Sequence, residues 1–401
     1  MLKIIQELLQ EPIQKREELL LAKRKIAKKY KLQFFENSEI LKGYHALLKK
    51  KAIVKMPDLE RILRRRSIRT LSGIASVSVL TKPFGCPNNC AYCPTEIRVP
   101  KSYLSNEPAV MRAIRFKYDA YNQVQGRIKS LVDNGHAPTK IELIVIGGTW
   151  SSLPEKYKYW YILECFQGAN NFKKNQITPN KSKLNEKSSL EILKQALLKE
   201  QRRNEKAKYR IIGLTLETRP DWINEKELAQ MRMMGYTRVE IGVQLTDDAV
   251  LSKNNRGHGV AEIVLATKML RDWGFKITYH WMPGLPGSNP ALDIQKFKEL
   301  FTNENFQPDQ IKFYPTIVVK NSLLYTWWKQ GKYIPYTSQE LEHIITECKQ
   351  VVPPYVRIIR LIRDIPGNSI IAGNKITNLN PKKFTLIPQL IQLNRLMRNT
   401  S

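Results

Sequence analysis

The 401-residue sequence is poor in cysteine, histidine and acidic residues, and it has no long apolar run. Five cysteines cannot form a disulfide framework in a chain of this length. No stretch approaches the roughly 18 apolar residues of a membrane span, and the N-terminal residues lack the apolar segment of a signal peptide. These absences predict a cytoplasmic protein of a reducing compartment that does not bind a membrane.

The shortage of acidic residues leaves 66 Lys and Arg against 36 Asp and Glu, a formal net charge of +30. Hydrophobic residues make up 42% of the chain, which excludes global disorder. Residues 1–80 hold 19 of the basic residues and only 8 of the acidic ones, and apolar residues recur there near helical spacing. The N-terminal region, residues 1–72, is therefore predicted to be a basic helical domain.

The basic residues of this region form three clusters. Each cluster alone is explained by a solvated helix face, whereas three together favour a polyanion whose phosphates they neutralise. A nucleic acid is the partner predicted from this density. The clusters are Lys23, Arg24, Lys25, Lys28 and Lys29; Lys49, Lys50 and Lys51; and Arg61, Arg64, Arg65, Arg66 and Arg69.

From residue 73 onward, short β-branched runs alternate with segments of helical length. This alternation predicts an α/β fold with a parallel sheet, either doubly wound or a partial barrel, whose chemistry lies at the carboxyl ends of the strands. A polar Lys- and Asn-rich segment, residues 170–187, is predicted to be a mobile insertion. The predicted strands are 73–81, 141–147, 210–216, 237–243, 275–281, 311–319 and 357–362, and the predicted helices lie near 108–133, 188–207, 224–234, 261–273, 292–303 and 338–350.

Three cysteines follow the first predicted strand in a C-x3-C-x2-C pattern: Cys86, Cys90 and Cys93. Three thiolates on one loop can hold three irons of a 4Fe–4S cluster and leave the fourth iron open. A zinc site needs four ligands, and an electron-transfer ferredoxin supplies four cysteines, so both alternatives are disfavoured. Cys165 and Cys348 lie in helical patterns and are interpreted as buried thiols. S-adenosylmethionine is a ligand able to occupy an open iron.

This motif, with Tyr92 before the last cysteine, resembles that of the radical S-adenosylmethionine superfamily. The resemblance implies cofactor contacts at the loops that end the next strands, although a tight turn, helix caps or ordinary ion pairs explain the same residues. The implied contacts with S-adenosylmethionine are Tyr92, Gly147, Gly148, Thr149, Glu217, Arg219, Glu240 and Gln244.

The order of the motifs is similar to that of the Elongator catalytic-subunit family from about residue 61 to about residue 366. The motifs include KPFGCPNNCAYCP, GHAPTKIELIVIGGTW, LTLETRPDW, EIGVQ, HWMPGLPG, IKFYPTIVV and RIIRLIRDIP. The resemblance implies a partial (βα)6 barrel over residues 73–366 and an enzyme that attaches a carboxymethyl group to carbon 5 of the tRNA wobble uridine. Acetyl-CoA would supply the two carbons after a deoxyadenosyl radical abstracts hydrogen from its methyl group.

Several residues take roles from this resemblance. Lys140 matches the family lysine linked to acetyl-CoA, and a solvated charge is the alternative. His280 and Tyr314, at the ends of later strands, are predicted to act on substrate, with a hydrogen-bonded structural histidine as the alternative for His280. Lys320, like Tyr314, is predicted to act on substrate. The tRNA contacts predicted in the N-terminal region are Arg64, Arg65, Arg66 and Arg69.

The sequence departs from the family after residue 366. The family continues into an acetyltransferase-like domain, whereas residues 367–401 are too few to form one. We therefore expect a C-terminal tail here and a separate acetyl-CoA-binding or Elongator-like subunit, together with an electron donor. A non-catalytic tRNA-binding scaffold and a different radical enzyme are the alternative hypotheses.

Overall fold

A computed structural model describes residues 2–33, 36–173 and 175–375 of the chain. Strands form where the β-branched runs predicted them, because Val and Ile suit a buried pleated surface. The strands are β1 (Ala75–Leu80), β2 (Lys140–Ile146), β3 (Arg210–Thr218), β4 (Arg238–Gln244), β5 (Lys276–Trp281), β6 (Gln310–Phe313), β7 (Val318–Val319), β8 (Arg357–Arg360) and β9 (Ile370–Ala372).

Half of the helices described begin at a residue whose side chain caps the free backbone N–H groups of the first turn. Asp119, Asn224 and Asn289, for example, each accept a hydrogen bond from the backbone N–H three residues later. The helices are α1 (Leu2–Leu8), α2 (Arg16–Lys29), α3 (Asn37–Lys49), α4 (Pro57–Leu63), α5 (Pro108–Arg115), α6 (Ala120–Asp133), α7 (Glu155–Asn171), α8 (Leu190–Glu205), α9 (Glu225–Met234), α10 (Asp248–Lys253), α11 (Val260–Asp272), α12 (Pro290–Thr302), α13 (Leu323–Lys329) and α14 (Ser338–Gln350).

The main sheet has seven strands in the order β1-β2-β3-β4-β5-β6-β8. Within this sheet β3, β4, β5, β6 and β8 pair in parallel, and helices connect them, as the α/β prediction requires. The pairing places Glu217 beside Glu240 and His280 beside Lys312. Residues from four neighbouring strands therefore meet near the carboxyl ends of those strands.

The basic N-terminal region is helical, as predicted. Its helices α1 to α4 bury one side around a shared apolar core, while most of their charged residues, though not Lys23, stay at least partly exposed. The core residues include Ile5, Leu8, Leu19, Ile26, Ile40, Leu41, Tyr44, Leu47, Leu59 and Leu63.

Two predicted elements are wrong in extent. The helix predicted over residues 108–133 is two helices, because Lys117 and Tyr118 adopt left-handed backbone angles between α5 and α6. The strand predicted over residues 311–319 stops at Phe313, and Val318–Val319 pairs antiparallel with β9 in a separate two-stranded sheet.

Helix α7 was not predicted. Every residue from 157 to 166 except Trp160 is buried. A helix that is buried on nearly all sides lacks the one-faced periodicity by which an amphipathic helix is found in a sequence.

The chain forms two compact units. One comprises Met1–Ser78, Asp119–Ile144 and Tyr159–Ile212, and the other comprises Val79–Tyr118, Val145–Lys158 and Gly213–Ser401. The domain boundaries predicted at residues 72 and 366 stay a prediction.

The predicted insertion at residues 170–187 begins inside α7, and its described residues after Asn171 form no helix or strand. Within it the Thr178 N–H donates to Gln125 Oε1 at 2.7 Å, and Gln125 Nε2 donates to Thr178 Oγ1 at 2.9 Å. Of the predicted tail, residues 376–401 lie outside the described residues. Among the helices that are described, none combines the length and the apolar character needed to cross a membrane.

Candidate functional site

The three cysteines lie on an irregular loop after β1, and the backbone of this loop is fixed by protein contacts. The Ala91 N–H donates to the Asn254 carbonyl at 3.0 Å, and the Ala91 carbonyl accepts from the Leu324 N–H at 2.8 Å. Cys90 is buried, whereas Cys86 and Cys93 are partly exposed. The loop is therefore held from both sides with one thiol facing the interior.

Two guanidinium groups approach the buried thiol. Arg256 Nη1 lies 3.4 Å from Cys90 Sγ, and Arg219 Nη1 lies 3.8 Å from the same atom. A hydrogen bond with Cys93 and the positive charge of Arg256 lower the pKa of Cys90 to about 4, although burial opposes this. Cys90 is thus set to be a thiolate, the form that binds metal.

Asp221 holds Arg219 in this position through two hydrogen bonds, of 2.9 and 3.0 Å. Burial opposes the ionisation of Asp221, but His258 and Arg219 bring its pKa down to about 2. Arg219 was predicted to contact S-adenosylmethionine, and the structure places it against Cys90. Sequence reasoning missed Arg256 and His258, which lie in the sequence NNRGHG at residues 254–259.

The donor set fits an iron–sulfur cluster. Iron–sulfur clusters bind cysteine thiolates, and here three thiols share one loop beside two arginines that stabilise negative sulfur. Cys165 and Cys348 are buried residues of α7 and α14, and burial raises the pKa of both thiols. Cys86, Cys90 and Cys93 are therefore the residues that would hold the cluster.

The glycine segment after β2 forms a close contact with β1. Gly147 has φ of +142°, and a Cβ atom there would lie 2.1 Å from Thr81 Oγ1. Gly148 also has positive φ, and the Thr149 side chain is buried. Close packing therefore explains Gly147 in full, and the cofactor contacts of all three residues stay a prediction.

A cluster of charged side chains lies across strands β3 to β6. The Lys312 ammonium contacts the Glu240 carboxylate and lies 3.5 Å from Glu217 Oε1. His280 Nε2 lies 2.9 Å from Glu240 Oε2, and the His280 ring packs edge-on against Tyr314 at 5.3 Å. The structure therefore brings together four of the residues predicted to act at this site.

Lys312 is the member of this cluster that sequence reasoning missed. A lysine between the apolar Ile311 and Phe313 is the signal that could have revealed it, because an unpaired lysine is rarely buried in a strand. Burial opposes the charge of Glu240, but Lys312 and His280 lower the pKa of this carboxyl to about 2. Glu240 is therefore an anion at neutral pH.

Glu217, Glu240 and His280 also place potential metal-ligand atoms within 4.8 Å of one another. Lys312 contacts both carboxylates, so a cation already neutralises them. The hydroxyl of Tyr103 donates to Glu217 at 2.5 Å. These contacts favour an organic ligand over a second metal.

One predicted cofactor contact, Gln244, has a buried amide oxygen with no hydrogen-bond partner among the described residues. Gln244 ends β4 with φ of +69°, a conformation that a residue other than glycine rarely adopts. Buried polar groups are normally hydrogen-bonded, so this oxygen is available to a ligand. The buried hydroxyl of Tyr92 interacts with Cys90, and burial raises the pKa of this hydroxyl, so its contact with the cofactor stays a prediction.

Lys140 is not part of this cluster. It is exposed and is the first residue of β2, at the end of that strand opposite Gly147. Lys320 is also exposed. Their roles toward acetyl-CoA and substrate stay predictions.

The predicted RNA contacts differ from one another in the structure. Arg64 Nε donates to the Gly135 carbonyl at 2.9 Å, so this side chain holds the segment after α4 against the segment after α6. Arg65, Arg66 and Arg69 line a cavity. In the first basic cluster, Lys25 and Lys29 pair with Glu11 and Glu7, and Lys23 is buried.

Comparison with known proteins identifies two matching families. Residues 80–297 match the radical SAM superfamily, and residues 308–383 match the radical SAM C-terminal domain. A curated relative from Dehalococcoides mccartyi, named tRNA uridine(34) acetyltransferase, is 42% identical over 307 residues, which are 77% of this chain and 62% of the relative. Elongator complex protein 3 of Schizosaccharomyces pombe is 36% identical over 368 residues, 89% of this chain and 63% of that protein.

The fold can also be compared with a solved structure. The archaeal Methanocaldococcus infernus Elp3 with residues 1–46 deleted superimposes with a TM-score of 0.61 at 36% identity, over 75% of this chain and 59% of that chain. The present chain spans about three fifths of the length of the curated relatives that it matches.

Proposed function

Because this chain belongs to the radical SAM superfamily, and within it to the group of tRNA uridine(34) acetyltransferases and Elongator complex protein 3, we propose that it modifies the wobble uridine of tRNA. The family resemblance and the α/β partial-barrel fold predicted from the motifs are confirmed by these matches. The finer proposal is a transferase that adds a carboxymethyl group at carbon 5 of uridine with acetyl-CoA as donor.

The single observation that carries the proposal is the cysteine loop within the matched family region. Cys86, Cys90 and Cys93 would hold a 4Fe–4S cluster, which supplies the electron that cleaves S-adenosylmethionine when it is bound. Arg256 and Arg219 stabilise the thiolate form of Cys90 through their contacts with its sulfur.

The strand-end cluster would bind and orient the organic ligands. The ionised Glu240 and the neighbouring Glu217 accept hydrogen bonds from hydroxyl and ammonium groups, and the Gln244 oxygen needs one more donor. His280 uses Nε2 to bond Glu240, which leaves Nδ1 to exchange a proton with a substrate. Lys312 fixes the carboxylates in place.

The donor and the partners complete the proposal. Lys140 is the proposed contact with acetyl-CoA, an Elongator-like or acetyl-CoA-binding subunit is a proposed partner, and an electron donor is required. The basic N-terminal helices are the proposed tRNA-binding region, because their charge suits a polyphosphate backbone.

Nucleoside analysis tests this function. tRNA from a strain that lacks the protein is expected to lose carboxymethyluridine or its derivatives at the wobble position, and expression of the native chain should restore them. The Cys90→Ala variant should not restore them, whereas Cys348→Ala should, since Cys348 is a buried residue of α14 and not part of the cysteine loop. Mass spectrometry of digested tRNA measures the outcome.

Unchanged wobble nucleosides in the deleted strain would contradict the proposal. Formation of 5′-deoxyadenosine by the anaerobically reconstituted, reduced protein separates the enzyme from a scaffold. An enzyme forms it and Cys90→Ala does not, whereas a scaffold forms none in either case.

A further inference from the structure

The guanidinium group of Arg256 is buried against the cysteine loop. Its Nη1 lies 3.4 Å from Cys90 Sγ, and its Nη2 donates to the Gly242 carbonyl at 2.6 Å. Only 5% of the residue is exposed. Because an arginine stays protonated in a protein, this contact places a permanent positive charge next to sulfur and away from water.

The backbone around Arg256 fixes this side chain and leaves room for it. The Arg256 N–H donates to the Leu251 carbonyl of α10 at 3.0 Å. On β4, a Cβ atom at Gly242 would lie 2.5 Å from Arg256 Nη2. The glycine of the EIGVQ motif therefore allows the guanidinium group to lie against the strand and to reach the sulfur.

The two arginines near Cys90 differ in how their charges are balanced. Arg219 forms two hydrogen bonds with the Asp221 carboxylate, so this pair carries little net charge. Among the residues that the structure describes, no carboxylate contacts Arg256. The sulfur of Cys90 is therefore the anionic group in contact with the Arg256 guanidinium.

The surroundings of the sulfur atoms influence how readily an iron–sulfur cluster accepts an electron. Hydrogen bonds to sulfur, net charge and solvent exposure set the reduction potential of such clusters. Reduction adds one negative charge, so a positive charge and an N–H donor at the sulfur favour the reduced form. In the proposed function the reduced cluster supplies the electron that cleaves S-adenosylmethionine.

We propose that Arg256 raises the reduction potential of the cluster held by Cys86, Cys90 and Cys93, and so makes that cluster easier to reduce. This inference rests on the proposed function, which assigns the cluster, and it deepens that function by naming a residue that controls its reduction. A low-potential one-electron reductant, dithionite in the test, loses one electron and the cluster gains it. No bond forms or breaks in this step, and Arg256 keeps its proton.

The pair Arg256→Met and Lys101→Met provides a matched test, because each variant removes one positive charge beside the cysteine loop. Lys101 Nζ donates to the Asn88 carbonyl at 3.0 Å and to Asn89 Oδ1 at 2.7 Å, and these partners are not sulfur atoms. In the full-length, anaerobically reconstituted protein without S-adenosylmethionine, we expect Arg256→Met to raise the ratio of oxidised to reduced cluster about tenfold at a fixed potential. This change equals a shift of the midpoint potential by about 59 mV to more negative values. Lys101→Met should change the ratio less than about twofold, because solvent and salt screen a partly exposed charge.

Asp221→Asn tests whether charge or a loosened loop sets the potential. This variant leaves the charge of Arg219 unbalanced at 3.8 Å from Cys90 Sγ, so the midpoint potential should shift to less negative values. A loop that is only loosened would not give shifts of opposite sign in Asp221→Asn and Arg256→Met. Arg256→Gln keeps an N–H donor and removes the charge, so its shift should have the sign of Arg256→Met and a smaller size.

Redox titration followed by electron paramagnetic resonance measures the midpoint potentials, and iron content and a thermal unfolding curve show that each variant folds and binds the cluster. If Arg256→Met binds no iron, Arg256→Gln decides in its place. If both fail, Asp221→Asn decides, since an unchanged potential there would exclude an effect of guanidinium charge.

Equal midpoint potentials of Arg256→Met and Lys101→Met would overturn the proposal, as would shifts of the same sign in Asp221→Asn and Arg256→Met. A native protein that binds no iron after anaerobic reconstitution would instead contradict the proposed function.

Discussion

At the scale of single residues, the most consequential pair is Lys312 and Glu240. Both side chains are almost fully buried, with exposed fractions of 10% and 1%, and each neutralises the other. A buried charge that loses its partner costs about 3–5 kcal/mol of stability. The pair therefore couples the arrangement of the proposed ligand-binding cluster to the stability of the fold.

Replacement of Lys312 by Met is expected to lower the free energy of unfolding at pH 7 by about 3–5 kcal/mol, because Glu240 keeps a buried charge with only His280 beside it. The native pKa of Glu240, about 2, lies below its ordinary value of 4.5. The native pair therefore stabilises the fold fully above pH 4.5, and this contribution is lost as the pH falls toward 2.

In Lys312→Met, burial should instead raise the pKa of Glu240. The loss of unfolding free energy relative to the native protein should therefore be largest at pH 7 and shrink as the pH falls. Denaturant unfolding at pH 7 and pH 5 measures this change. The double variant with Glu240→Gln is the control and should recover part of the loss. If neither lower pH nor Glu240→Gln reduces the loss of unfolding free energy, then Lys312 contributes packing and not charge.

At the scale of elements, the turn after β2 depends on Gly147. A methyl group there would collide with Thr81 Oγ1, and φ of +142° is unfavourable for any other residue. We expect Gly147→Ala to destabilise the protein by clearly more than Gly331→Ala, which has φ of +70° and nothing within 4 Å of its added Cβ.

Gly331→Ala is the control, and its cost in stability comes only from backbone strain, about 1–2 kcal/mol. Unfolding midpoints of the two variants measure the difference. Thr81→Ala removes the nearest atom and should restore part of the stability lost in Gly147→Ala. Equal midpoints for Gly147→Ala and Gly331→Ala would mean that the contact with Thr81 relaxes without cost.

The strands that carry the site could be predicted from the sequence, and several contacts within the site could not. Runs of apolar and β-branched residues such as Arg210–Leu216 predict strands of a parallel sheet. The order of the motifs predicts which strand ends hold the candidate site residues. Arg256 reaches Cys90 across 166 residues of sequence, and no local pattern reveals such an approach. The break between α5 and α6 was missed because glycine is the residue that usually marks left-handed backbone angles in a sequence. Here Lys117 and Tyr118 adopt those angles instead.

At the scale of the whole molecule, the excess of positive charge governs encounters with polyanions. The chain carries a formal charge of +30, and its first 80 residues hold 19 of the 66 basic residues. Long-range attraction of this kind raises association rates and weakens as salt screens it.

Binding of tRNA is therefore expected to fall steeply with salt. Each neutralised phosphate contributes a slope of about 0.7–0.9 in log affinity against log salt, so six to ten contacts cost about 10³–10⁵ in affinity between 50 and 200 mM. Fluorescence anisotropy with labelled tRNA over a series of KCl concentrations measures the slope. A slope below one would contradict binding through the basic helices.

The contacts at Ala91 bear on how the proposed cluster would be rebuilt after exposure to air. Both of the backbone partners of Ala91, Asn254 and Leu324, are protein groups, so these two hydrogen bonds of the cysteine loop form when the chain folds. A cluster held by Cys86, Cys90 and Cys93 would therefore bind a loop for which part of the ordering entropy is already spent. After oxidative loss of such a cluster, we expect reduction of the thiols and a fresh supply of iron and sulfide to rebuild it on the same polypeptide.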